Sequence, residues 1–175
     1  MRNIFQKSNS FYIIFIVFLV FFSFIMFLSI PALFDYKKIE KNIKESVESS
    51  YPFKIENLTE IEYRFFPSPH LFIKNSEIYL GPNPDKIVGS TENLKIYISI
   101  FKLYNFKQIE IKKIDIKNTN FNFDKFSLNL FLKYLNSKKT KKLFIKNSKI
   151  FYYDNNKEVL VISILNKLNF FTNDK

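Results

Sequence analysis

Few side chains in this sequence are equipped for covalent or proton-transfer chemistry. His70 is the one histidine among 175 residues, and it follows Pro67-Ser68-Pro69. A lone imidazole in a proline-rich turn reads as solvated, with no second His and no Cys to share a metal ion. The 16 Asp and Glu are scattered over polar positions, and no pair stands in an acid–base context. There is no phosphate-cradling glycine loop. The absence of Cys excludes a disulfide framework and a thiolate metal site. Asn57-Leu58-Thr59 fits a glycosylation acceptor but reads as strand-edge sequence with no modification. These observations predict a non-enzymatic protein with no cofactor and no metal.

Charge and composition narrow the partners. Lys and Arg number 27, which sets the net charge at +11, and Phe alone contributes 23 residues. The chain is saturated with Lys, Asn, Ile and Phe, the residues that AT-rich codons favour. The basic excess therefore reads first as a solvated outer face. Attraction toward an anionic membrane surface is the alternative. Nucleic acid is not expected as a partner, because the chain carries a membrane anchor.

That anchor is Phe11 to Ile30, FYIIFIVFLVFFSFIMFLSI, which holds no charge. As a helix, ~20 residues at ~1.5 Å each match a ~30 Å hydrocarbon core. Tyr12 and Tyr36 flank the run, where amphipathic rings favour the interface. A cleaved signal peptide would have a shorter apolar core, and Ser29-Ile30-Pro31-Ala32 is a poor cleavage site. Residues 1–10 form a short tail. Arg2 and Lys7 favour a cytoplasmic N-terminus, but Lys37, Lys38, Lys41 and Lys44 follow the span closely, so the positive-inside rule alone does not decide. Residues 31–52 read as a stem helix: Ile39, Ile43 and Val47 fall on one face, and Pro52 ends it. It would cap the following sheet or lie on the membrane surface.

From Phe53 to the C-terminus the hydrophobic period is two. Ile61, Tyr63 and Phe65 alternate with polar residues, as do Leu71 and Ile73, and Leu94, Ile96, Ile98 and Ile100. Ile109 and Ile111 share one parity and Ile114 and Ile116 the other, which places a bulge or bend at Lys112-Lys113. Gly81 to Asp85 reads as a turn. Leu128, Phe131, Leu132 and Leu135 have helical spacing behind Ser127, a candidate cap. Strands resume at Leu143–Tyr153 and Val159–Ile164. One segment recurs: Leu71-Phe72-Ile73-Lys74-Asn75-Ser76-Glu77-Ile78 returns as Leu143-Phe144-Ile145-Lys146-Asn147-Ser148-Lys149-Ile150, with a weaker copy at Ile114 to Phe121. Each copy reads as a strand, a polar Asn-Ser or Asn-Thr corner and a second strand, so the unit predicts a repeating sheet.

Three features together resemble the N-terminal part of AsmA-family proteins. The first is the basic tail, membrane helix and stem Tyr36-Lys37-Lys38-Ile39-Glu40. The second is Phe65-Phe66-Pro67-Ser68-Pro69 followed by Leu71 to Ile78, with Asn75 in the family's Asn position. The third is Leu143 to Asp154, with Asn147 in the corresponding place. His70 stands where a small residue is usual, and Ser148 replaces the usual Gly. Family members are typically several times longer, so the chain is expected to be an N-terminal portion or a reduced member. The resemblance implies an inner-membrane anchor with residues 53–175 in the periplasm. It also implies an elongated, curved antiparallel β-groove that carries phospholipid toward the outer membrane.

On that implication Leu94, Ile96, Ile98 and Ile100 are the candidate groove floor, with Ile109, Ile111, Ile73 and Ile78 beside them. Each acyl CH₂ buried there would contribute about 0.8 kcal/mol without fixing the lipid's position. The same side chains would serve equally as the core of a closed β-domain, which would make the protein a structural or docking module. Either way the C-terminal edge, Val159 to Phe171, is the expected joint for a β-edge protein partner.

Overall fold

The computed structural model describes residues 3–51, 53–80, 87–102, 104–105, 109–135 and 141–171. The chain divides into two compact units, Met1–Phe34 and Asp35–Lys175.

The first unit is helix α1, Asn3–Ser29, continued by a 3₁₀ turn at Ile30–Leu33. Within it, Ser10–Leu33 is long and apolar enough to cross a membrane. Phe11 to Phe22 are exposed on every side of the helix, and a helix apolar all round needs an apolar surrounding. Ser29 satisfies its hydroxyl by donating to the Ile25 carbonyl at 2.8 Å.

The second unit opens with a 3₁₀ turn, Tyr36–Ile39, capped by the Asp35 carboxylate, which accepts from the Lys37 amide at 3.2 Å. Helix α2 follows over Glu40–Ser50. Its stripe of Ile43 and Val47 is fully buried, as the 3.6-residue period requires. Lys44 ties the helix together through Glu40 at 2.8 Å and ties it to the first strand through Glu56. Pro52, the expected helix stop, lies outside the described residues, but the preceding Tyr51 is already extended. The Tyr51 hydroxyl donates to the Lys142 carbonyl at 3.1 Å.

Seven strands form one sheet: β1 Phe53–Glu56, β2 Glu60–Arg64, β3 His70–Leu80, β4 Ile87–Ile98, β5 Ile111–Phe123, β6 Lys142–Tyr153 and β7 Val159–Phe170. Their order is β1-β3-β4-β5-β6-β7, and β2 lies beside β1 along the same edge of β3. The predicted Gly81–Asp85 turn between β3 and β4 lies outside the described residues. The sheet is mixed, not wholly antiparallel as expected, because β5 and β6 run parallel. The cause is helix α3, Lys125–Leu135, which carries the chain back across the sheet, as parallel neighbours demand. Its cap is Asp124 and not Ser127. The Asp124 carboxylate accepts from the Ser127 amide at 2.8 Å, and Ser127 Oγ accepts from the Asp124 amide at 2.9 Å, a reciprocal capping box.

The repeat is not a strand-corner-strand unit. Asn75, Asn118 and Asn147 adopt left-handed backbone angles, with φ of 50°, 53° and 49°, yet each sits inside one continuous strand. The register passes over Asn75 and Glu92 between β3 and β4, and over Asn118 between β4 and β5. Asn147 and Asn166 are passed over between β6 and β7. Because both partners are passed over together, the register is unshifted across these sites; it is the buried positions that change parity there, from Leu71 and Ile73 to Ser76 and Ile78 on β3. Asn tolerates the left-handed conformation because its short amide can bond locally. Lys112 is a bulge of the predicted kind: Ile98 and Tyr97 face Ile111 and Lys113, and Lys112 is passed over.

Candidate functional site

The parity change in each strand leaves one apolar face across the sheet. One band across it is Leu71, Ile96, Ile114 and Leu143, and the next is Ile73, Leu94, Ile116 and Ile145. All eight side chains are at most 1% exposed. A third band, beside the passed-over residues, is hydroxylic: Ser76, Thr91, Thr119 and Ser148, each 1% exposed. Three of these hydroxyls donate to backbone carbonyls. Thr91 Oγ1 donates to the Lys117 carbonyl at 3.0 Å and Ser148 Oγ to the Lys146 carbonyl at 2.9 Å. The Thr119 amide donates to Ser148 Oγ at 3.3 Å. Ser76 Oγ, in the first copy of the repeat, has no hydrogen-bond partner among the described residues.

Beyond the hydroxyls the face turns aromatic. Phe131 of α3 stacks on Phe121 and Phe123 of β5, with ring centroids 6.2 and 5.1 Å apart. Gly89 of β4 lies under Phe121: a Cβ there would stand 3.1 Å from the ring.

The candidate groove-floor residues fall mostly beneath this cover. Ile73, Ile78, Leu94, Ile96, Ile98, Ile109 and Ile111 are all buried. Helix α2 lies against β1 and β5, α3 lies against β3 and β5, and Tyr36 and Ile39 close over Leu71, Ile98 and Ile109. Ile100 departs from the expectation. Strand β4 ends at Ile98, and Ile100 opens a 3₁₀ turn, half-buried and off the strand face.

The motif residues before β3 have structural roles. The Ser68 carbonyl accepts from or faces His70 Nδ1 at 2.8 Å, and the Pro69 carbonyl accepts from the Ile98 amide at 3.2 Å. Phe66 is largely exposed, and the Phe66–Pro67 peptide is cis. His70 itself is not solvated: it is 1% exposed and stacks on Tyr97 at 5.1 Å. Burial lowers its pKa, and the nearby Lys95, Arg64 and Lys113 push in the same direction. It is held neutral, with Nε2 unpartnered among the described residues. No alternation rule could have found this, because His70 stands on the opposite face from Leu71.

Among the described residues the cover stops at β6. Ile150 and Tyr152 on β6 are half-buried, as are Leu165, Leu168 and Phe170 on β7, whose other residues are exposed. Val159, Leu160, Val161, Ile162 and Ile164 are 46–71% exposed. The register puts Val161, Leu165, Leu168 and Phe170 on the apolar face, continuing Tyr152, Ser148, Ile145 and Leu143. The outer backbone edge of β7 ends the sheet. A cavity of about 410 Å³ opens beside this region, between Phe123, Tyr153 and the turn Asp154–Lys157. What remains open for binding is thus a strand-wide apolar strip with a free edge, where the alternation pattern had pointed to the sheet centre. No protein-family model and no curated protein sequence matches the chain.

Proposed function

We propose that the chain is an AsmA-like, non-enzymatic protein that holds phospholipid acyl chains on the uncovered apolar strip of β6 and β7, anchored in the inner membrane by α1 with its β-domain in the periplasm. The observation that carries the reading is that Val161 is exposed and Leu165, Leu168 and Phe170 are only half-buried, side by side with the half-buried Ile150 and Tyr152, on a face that α2 and α3 cover over earlier strands among the described residues. An acyl chain laid there gains about 0.8 kcal/mol per CH₂ removed from water, through contacts that do not fix its position. Such contacts permit sliding, as transfer between membranes requires. The groove lengthens when a further strand adds to β7, and its floor is then β6, β7 and the added strand. Ile73, Ile78, Leu94, Ile96, Ile98, Ile109 and Ile111 serve as the packed root of that groove.

The free edge of β7 favours a second reading, a docking module that binds a partner strand and no lipid. Photocrosslinking in cells separates the two. A photoreactive residue replaces Val161 or Leu165 on the strip, with Lys149 on the opposite face and Ile96 in the sealed core as controls. Phospholipid adducts at Val161 and Leu165 alone support lipid holding. A folded protein with no lipid adduct at either position refutes it. Protein adducts in their place, lost in Ile162→Pro, which removes an edge donor, establish docking.

A further inference from the structure

The opposite face of the sheet carries an alignment of charge that neither acyl binding nor edge pairing uses. The register sets Lys117 of β5 beside Lys146 of β6, and Lys146 beside Lys167 of β7. Lys74 of β3 stands in the same row, with Asn93 between it and Lys117. Neighbouring strands are ~4.8 Å apart, and like charges directly opposite repel. A row of this kind needs counter-charge. Asp115, 3.7 Å from Lys146, is the one carboxylate that reaches the trio; among the described residues Lys117 and Lys167 have none within 4 Å.

The adjoining rows add cations seated on rings. Lys113 Nζ is 3.9 Å from the Tyr97 centroid, and Arg64 is 3.9 Å from that of Phe72. Lys95 and Lys146 approach Phe72 and Phe144 at 5.9 and 5.7 Å. Besides Asp115, Glu60 and Glu62 of β2 stand near the row and already engage Lys74 and Arg64. Crowding shows in Lys95, whose pKa is lowered by burial and then by Lys117. A flat array of cations interleaved with aromatic rings suits many small monoanions in a plane better than one polyanion in a cleft.

We propose that this face is a docking surface for the anionic headgroups of the bilayer, seated through Lys117, Lys146 and Lys167. The partner follows from charge complementarity and from the bilayer-length apolar helix in the same chain. The inference rests on insertion of α1 and is independent of lipid holding on β6 and β7.

The natural chain has no Cys, so single labels are clean. Full-length Asn120→Cys, exposed on this face opposite Lys149, is labelled with a fluorophore and reconstituted into nanodiscs containing a headgroup-level nitroxide quencher. A label at Phe126→Cys on α3, on the other side of the sheet, is the control. We expect at least twofold stronger quenching at position 120 in discs with phosphatidylglycerol than in pure phosphatidylcholine. The difference should vanish in high salt, which screens exposed charges, and in Lys117→Gln with Lys167→Gln, while the control stays unchanged. Equal quenching in the two lipids in discs that carry the chain overturns the proposal, and the salt comparison on the unsubstituted lysines does so even if the double variant misfolds. A chain that does not co-elute with discs refutes the anchor instead.

Discussion

Asn118 offers a test in which two readings of the same sequence predict opposite orders. If it were an ordinary strand position, Val would be the best replacement and Gly among the worst, over a range of about 1 kcal/mol. In the structure Asn118 is an exposed residue with φ of 53°, passed over together with Glu92 in an unshifted β4–β5 register. A β-branched residue in the left-handed region costs about 1–2 kcal/mol, whereas Gly enters it without steric cost. The amide contact to Glu92, 3.5 Å and exposed, adds little. Asn118→Gly should therefore stay within about 0.5 kcal/mol of the natural chain, and Asn118→Val should lose about 1–2 kcal/mol. With a urea slope of about 1–3 kcal/mol/M, the Val midpoint should fall by roughly 0.3–2 M. The assay is urea titration of the detergent-solubilised chain followed by the β-sheet circular dichroism signal. A Val variant as stable as the Gly variant, or more so, would refute the left-handed conformation and restore the simple strand. The same order should hold at Asn147.

Two further outcomes follow from the core. Gly89→Ala pushes a Cβ to 3.1 Å from the Phe121 ring, which is stacked against Phe123 and Phe131. Overpacking of this kind costs about 1–3 kcal/mol; a thermal melt should drop, and Phe121→Leu in the same chain should recover part of the loss. His70 is the one histidine, so the interval between the carboxylate and amine ranges reports it alone. Its folded pKa is lowered below 6.5, so just below pH 6.5 the unfolded state binds the proton and the native state does not. Stability is then complete above pH 6.5 and declines as pH falls toward the lower folded value. Urea midpoints at pH 7.5 and 5.5 should show that decline, and His70→Gln should abolish it.

Hydropathy and local periodicity are properties of neighbouring residues, and the sequence by itself determined what depends on them. The α1 span, the apolar stripe of α2, the strands with period two and the bulge at Lys112 were all legible, the last because apolar parity changes across it. The recurrence of Lys-Asn-Ser or Lys-Asn-Thr was equally visible, but its meaning was not. An Asn-Ser pair serves a corner and a left-handed position inside a strand alike, and only the strand pairing on both sides of Asn75, Asn118 and Asn147 separates the two. The burial of His70 was missed for the same reason, since the rings and cations above it come from β2, β4 and β5. Which strands become neighbours is a non-local choice. Tertiary structure alone made β5 and β6 parallel, brought Lys117, Lys146 and Lys167 into one row, and spread α2 and α3 over Leu94, Ile96 and Ile98. An alternating strand looks the same in sequence whether a helix covers it or not. Cover over the strands up to β5, and its lack over β7, was therefore settled by where two short helices find room to pack.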